Sequence, residues 1–278
     1  MHFTSDLHLS SDQGLSSDQG HDDGLVERHF TFRDIPGILW TPESASATTV
    51  PLILLGQQGG LEQMYPRLLP RAKACARDGF ATATVELPGS GTRPRIPDFE
   101  QARTDLREVV RAGGVPDDDL IARLILPLVD LAVPEWQATL DALLELPELR
   151  GPVGLSGGFI SIGVRMARVD QRIAAANLFA GSFVPTAIIE EAREVTIPLH
   201  VLLQWDDAGN HRQMALDLFD AFGSAEKTLA ANMGGHTGVP PWAADEVGRF
   251  FTRNLSAPRS TQSTGGGRYF PNRRLRAE

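Results

Sequence analysis

Gly154-Leu155-Ser156-Gly157-Gly158 follows a short apolar run and precedes Phe159, Ile162, Val164 and Met166 at helical spacing. A strand, a sharp glycine turn and a helix would present the Ser156 hydroxyl at the end of a sheet, where it can act as a nucleophile. The flanking glycines let such a turn close, and the amides after it can hold a developing oxyanion. In a chain with 27 Gly and 15 Ser, G-x-S-x-G arises by chance about 0.14 times, so the match alone decides little. A serine also needs a base. His236 stands in Met233-Gly234-Gly235-His236-Thr237-Gly238, directly after an apolar run, with glycines on both sides that free the ring to reach across a sheet edge. An acid should orient that ring and stabilise its cation. Leu202-Leu203-Gln204-Trp205-Asp206-Asp207 ends in two carboxylates that point in different directions, and Asp207, which begins the loop, is the choice ahead of Asp206. The second half of an oxyanion site is expected in Leu54-Leu55-Gly56-Gln57-Gln58-Gly59-Gly60, where the Gly59 or Gln58 amide would pair with that of Gly157.

Each of these residues has a plainer reading. Ser156 could cap a helix in a glycine-rich turn, and His236 could be an ordinary turn histidine. The other histidines offer less: His2, His8 and His21 lie near the start, His29 precedes the sheet, His200 sits inside a strand and His211 opens a helix. The order Ser156, Asp207, His236, each after a strand, is what raises the catalytic reading above its parts.

The elements that must carry these residues alternate. Strands are expected at Val26 to Phe32, Gly37 to Thr41, Pro51 to Leu55, Phe80 to Leu87, Pro152 to Leu155, Ile173 to Ala180, Pro198 to Leu203 and Lys227 to Ala231. Helices are expected at Glu62 to Arg77, at Glu135 to Leu146 with Pro134 before it, from Gly157, and near Arg212 to Phe222 and Trp242 to Asn254. This alternation predicts an α/β fold with a doubly wound, mostly parallel sheet, whose sites form at the carboxyl ends of strands. Residues 1–23, with LSSDQG twice in tandem, read as a disordered acidic leader, and 256–278 as a flexible basic tail. The domain is expected over 24–255, with 89–133 as a candidate helical lid. There Leu120, Ile121, Leu124, Ile125, Leu128 and Val129 recur at helical spacing and Pro127 bends or ends the segment. Arg93 and Arg95 could meet a substrate carboxylate, although solvated surface charge is the simpler reading.

Composition bounds the function class. Of 278 residues 42% are apolar and 22% charged, enough for a sizeable core. A net charge of −9 argues against nucleic acid or an anionic membrane as main partner. One cysteine excludes an intramolecular disulfide framework and a cysteine-based zinc site, and Cys75 reads as a small buried hydrophobe. No metal or organic cofactor is implied by any motif. The start of the chain lacks a basic, apolar signal pattern, and the expectation is a cytoplasmic protein acting on a small-molecule acyl substrate.

On these motifs the chain resembles the α/β-hydrolase superfamily, and within it the serine esterase and dienelactone-hydrolase-like branch, from about Val26 to Leu255. The resemblance rests on LILLGQQGG, VELPGSG (Val85 to Gly91), GLSGG, LLQWDD and GGHTGVP. It implies Ser156 as nucleophile, Asp207 as acid and His236 as base, and hydrolysis of an ester, thioester or lactone. Two departures stand out: Gln57-Gln58 replaces a common His-Gly, and position 156 is serine where dienelactone hydrolases carry cysteine. Acyl transfer on the same triad and a non-catalytic binding module on the same fold are the rival readings.

Overall fold

The computed structural model describes residues 1–9, 24–46 and 49–256. Nine strands form one sheet in the order β1-β2-β3-β5-β4-β6-β7-β8-β9. β1 (His2–Leu9), β2 (Leu25–Phe32) and β3 (Ile35–Pro42) make an antiparallel wing, joined antiparallel to β5 (Ala81–Val85). From there β4 (Val50–Gly56), β6 (Leu149–Gly157), β7 (Ile173–Phe179), β8 (Leu199–Gln204) and β9 (Lys227–Asn232) run parallel. The chain leaves β4 toward β5 on one side and resumes at β6 on the other. Such a reversal of strand order opens a crevice above the carboxyl ends of the two strands.

Strands buried on both faces read as continuous apolar runs because each face meets a helical layer. In β4, Leu52 and Leu54 join the larger core, while Ile53 and Leu55 face the smaller one with Leu68 and Ala72 of α1 (Leu61–Arg77) and Phe250 and Phe251 of α7 (Trp242–Leu255). The larger core is closed by α2 (Pro97–Arg111), α3 (Asp118–Leu144), α4 (Ile160–Val169), α5 (Thr186–Ala192) and α6 (Arg212–Ala221). Burial of such side chains contributes on the order of 1.5–3 kcal/mol each.

Three expectations are corrected, and two helices lay outside them. His2–Leu9, placed in the disordered leader, pairs with β2; Phe3 packs edge-on against Phe30 at 6.2 Å under the Arg28 guanidinium, a contact across the strand pair that the polar local sequence does not announce. The rest of the leader and residues 257–278 lie outside the described residues. Pro127 and Pro134 neither end nor start a helix: α3 runs through both, capped by the Asp117 side chain accepting from Leu120 N at 2.8 Å. Its buried stripe, Leu120 to Leu143, outweighs the local cost of the prolines. The helix expected from Gly157 begins at Ile160, because Gly157 (φ 69°) and Gly158 (φ 83°) both lie in the left-handed region. Finally, α2 and α5 lacked a long enough apolar repeat to be recognised.

Candidate active site

Ser156 lies at the end of the extended chain before Gly157, with Leu55 of β4 and Asn177 of β7 as lateral neighbours. Val153 and Leu155 face the larger core, so strand alternation turns Ser156 toward α1 and α7. It is 4% exposed and is not a helix cap; that place belongs to Phe159. Its Oγ accepts hydrogen bonds from Asn177 Nδ2 at 3.1 Å and Arg71 Nη2 at 3.3 Å. Asn177 Oδ1 is in turn bonded to His200 Nδ1 at 3.1 Å, so a polar row crosses β6, β7 and β8 on one face. Burial pushes the His200 pKa below its ordinary 6.5, which favours the neutral ring, and Asn177 Oδ1, an acceptor only, takes its hydrogen bond from Nδ1. The inward-facing strand histidine is thus satisfied, and its partner is the amide that touches the serine.

Two close backbone approaches make the turn possible. A Cβ on Gly56 would meet the Gly157 oxygen at 2.4 Å, and one on Gly158 would meet Gly56 Cα at 2.7 Å. The ends of β4 and β6 therefore touch backbone to backbone, which only glycine allows.

The other two residues of the expected triad meet. His236 Nδ1 and Asp207 Oδ2 are 2.6 Å apart, the carboxylate 3% exposed and the ring 42%. Asp207 Oδ1 also accepts from Gly209 N at 2.9 Å, which fixes the carboxylate's orientation. Asp206 serves the loop instead: its Oδ1 accepts from Gly234 N at 2.6 Å and Gly235 N at 2.8 Å, and these amides hold its pKa below the usual carboxylate value. Gln204 Nε2 donates to Gly235 O at 2.8 Å. The histidine loop is thus pinned at three points by Gln204, the last residue of β8, and by Asp206 beyond it, and Phe179 stands edge-on to the ring at 5.5 Å. No hydrogen bond joins His236 to Ser156. Both line one cleft of about 500 Å³ between α1, α7 and the sheet, whose walls include Met64, Arg67, Val239, Val247 and Phe251.

The loop after β4 differs from expectation. Gln57 is 2% exposed; its Nε2 donates to Val85 O at 2.9 Å and its Oε1 accepts from Gly59 N at 2.6 Å. Gly59 O accepts from Ser90 Oγ at 3.0 Å. The Gly59 amide is therefore engaged and faces a different cavity, so Gly59 is withdrawn as an oxyanion donor. Gln58, Gly157 and Gly158 do line the Ser156 cleft. The excursion over 89–133 does not line it; Phe99, Arg103 and Leu128 line the neighbouring cavity of about 830 Å³, and the apolar stripe of α3 is core. Arg93 forms a two-pronged ion pair with Glu135, both bonds 2.6 Å, while Arg95 is mostly exposed. Cys75 is partly buried among α1 and α7 side chains, and burial pushes its thiol up to about 12, leaving it an inert hydrophobe. Among the described residues no cluster of His, Cys, Asp or Glu could hold a metal, and no helix is long and apolar enough to cross a membrane.

Sequence reasoning missed Arg71 and Asn177. A signal existed for each: Leu68, Arg71, Ala72 and Cys75 follow core-stripe spacing on α1, and Asn177 interrupts an apolar strand.

No protein-family model matches the chain, and no curated protein matches it. Solved structures do. A cold-adapted esterase from an Arctic intertidal metagenomic library, in a PEG-bound complex, is 25% identical with a TM-score of 0.65, covering 88% of this chain and 100% of that one. An acetyl xylan esterase from Paenibacillus sp. R4 is 14% identical with a TM-score of 0.57, covering 90% and 89%. A protein assigned as a dienelactone hydrolase from Klebsiella pneumoniae is 14% identical with a TM-score of 0.57, covering 80% and 90%. With the sheet order, the paired Asp207 and His236 and the serine at the strand reversal, these neighbours place the chain in the α/β-hydrolase superfamily, in its esterase branch.

Proposed function

We propose that the chain is a carboxylic ester hydrolase that works through an acyl-enzyme on Ser156. The observation that carries this reading is the Asp207–His236 pair, 2.6 Å apart, opening onto the same cleft as Ser156. Asp207 holds the proton of His236 on Nδ1, so Nε2 is the free, accepting nitrogen. Arg71 and Asn177 both donate to Ser156 Oγ, so neither takes the hydroxyl proton; it remains available to a base. Catalytic hydrogen bonds in unliganded enzymes are often long and tighten only with substrate, and the Ser156–His236 contact belongs to that complex.

When an ester enters, His236 Nε2 takes the Ser156 proton as Oγ bonds to the carbonyl carbon. The carbonyl oxygen becomes an oxyanion, held by amides of the Gln58 and Gly157 region. Collapse expels the alcohol oxygen, which takes the proton back from His236. A water then repeats the sequence on the acyl-enzyme, releasing the acid and restoring Ser156. The apolar walls suit an acyl group with a modest hydrocarbon portion. The test is initial rates on p-nitrophenyl esters from acetate to octanoate. Turnover that vanishes in Ser156→Ala and His236→Ala, each with an unchanged melting temperature, supports the reading; equal turnover in Ser156→Ala rejects it.

A further inference from the structure

Arg71 stands against the nucleophile with no part in the steps above. It projects from the core stripe of α1, and its Nη2 donates to Ser156 O at 2.6 Å and Ser156 Oγ at 3.3 Å, while Nη1 donates to Gly56 O at 3.1 Å. All three acceptors are uncharged, and among the described residues no carboxylate pairs with it. Burial pulls its pKa below the ordinary arginine value, yet arginine stays protonated in proteins. A half-buried cation with no carboxylate beside it is costly, and a leucine or methionine would fill the stripe without that cost. The site is also shaped around it: a Cβ on Gly157 would come within 2.8 Å of Nη2.

We infer that Arg71 is the electrostatic and positioning partner of the nucleophile, tying the end of β4 to the end of β6 and stabilising the partial negative charge that Ser156 Oγ carries as its proton passes to His236 Nε2. The tie matters because Gly56 leads into the Gln57-Gln58 loop and Ser156 into Gly157, the two supports of the oxyanion site. A planar fork spans two carbonyls at fixed separation, which a lysine ammonium cannot do. The charge matters because Nη2 lies 3.3 Å from Oγ on a half-buried side chain, where screening is weaker than in bulk water. This inference rests on the ester-hydrolase reading.

The experiment compares Arg71→Lys, Arg71→Gln and Arg71→Met in the full chain, measuring kcat and KM on p-nitrophenyl acetate, fluorophosphonate labelling rate and melting temperature. Arg71→Met is expected to lose on the order of 10²–10³ in kcat with KM within about 3-fold, the pattern of a lost transition-state interaction. Arg71→Lys, which keeps the charge, is expected to exceed Arg71→Gln, which keeps hydrogen bonding alone, by about 10-fold or more in kcat and in labelling rate. A structural tie alone gives equality, because neither the lysine ammonium nor the shorter glutamine amide can donate to both carbonyls as the fork does. Equal or higher activity in Arg71→Gln, or a folded Arg71→Met within 3-fold of wild type, overturns the inference. If Arg71→Met fails to fold, the Lys-against-Gln order decides. Wild type that labels normally while these variants match it sinks the role of Arg71 alone; wild type that neither labels nor turns over ester sinks the hydrolase reading with it.

Discussion

Replacing Asp207 by Asn keeps the shape of the side chain and reverses one contact. Asp207 Oδ2 lies 2.6 Å from His236 Nδ1, and Gly209 N holds the other oxygen at 2.9 Å. With Gly209 N still requiring an acceptor, the new amide turns its NH2 toward Nδ1. His236 then accepts there and carries its proton on Nε2, where it cannot take one from Ser156. Charge is lost as well. A unit pair about 4 Å apart at an effective dielectric of 20 interacts by about 4 kcal/mol, and with the ring 42% exposed roughly half of that is retained. About 2 kcal/mol of imidazolium stabilisation corresponds to some 30-fold, and the wrong tautomer multiplies it, for a total on the order of 10³–10⁴ in kcat. Asp206→Asn is the control: its Oδ1 accepts from Gly234 N and Gly235 N, and an amide oxygen accepts equally well, so kcat should stay within about 3-fold. The assay is kcat on p-nitrophenyl acetate at pH 8, with melting temperatures to confirm folding. A loss in Asp206→Asn larger than in Asp207→Asn would refute the reasoning and move the acid by one residue.

Three further outcomes follow from the same geometry. Gly157→Ala places a Cβ at φ 69° and 2.8 Å from Arg71 Nη2, and should cost about 1–3 kcal/mol, seen as a melting temperature lower by roughly 2–10 °C; an unchanged value would contradict the turn geometry. His200 is held neutral by burial, so its folded pKa is depressed and the unfolded chain binds the proton first. Its contribution is complete above pH 6.5 and fades as pH falls through 6.5 toward the folded value, so wild type should lose more stability between pH 7.5 and 5.5 than His200→Gln does, by urea unfolding at each pH. Gln57→Ala removes the bridge from Val85 O to Gly59 N and should lower kcat by about 10-fold or more while leaving fluorophosphonate access open; equal kcat would show that the loop needs no brace.

What could be read from sequence was what repeats or punctuates. Apolar runs marked the buried parallel strands because two helical layers cover them, and glycines marked the turn at Gly157 and the histidine loop. Divergence at a strand end meant that only one of Asp206 and Asp207 could face the ring; Asp207, which begins the loop, was the choice, and it is Asp207 that lies 2.6 Å from His236 Nδ1. What was not legible depends on partners distant in sequence. Gln57 reaches Val85, Arg71 reaches Ser156, and Asn177 links Ser156 to His200, contacts that no local period encodes. The Gly59 expectation failed for a related reason: its amide is taken by a side chain two residues earlier that folds back on it. Pro127 and Pro134 misled because local propensity was outweighed by a long buried face.

The most direct test of the central claim is the intact mass of the purified chain after a fluorophosphonate probe, with Ser156→Ala and His236→Ala alongside. The account predicts one adduct on wild type, none on Ser156→Ala and greatly slowed labelling of His236→Ala. Well-folded wild type that stays unlabelled, or Ser156→Ala labelled as fast as wild type, would contradict it.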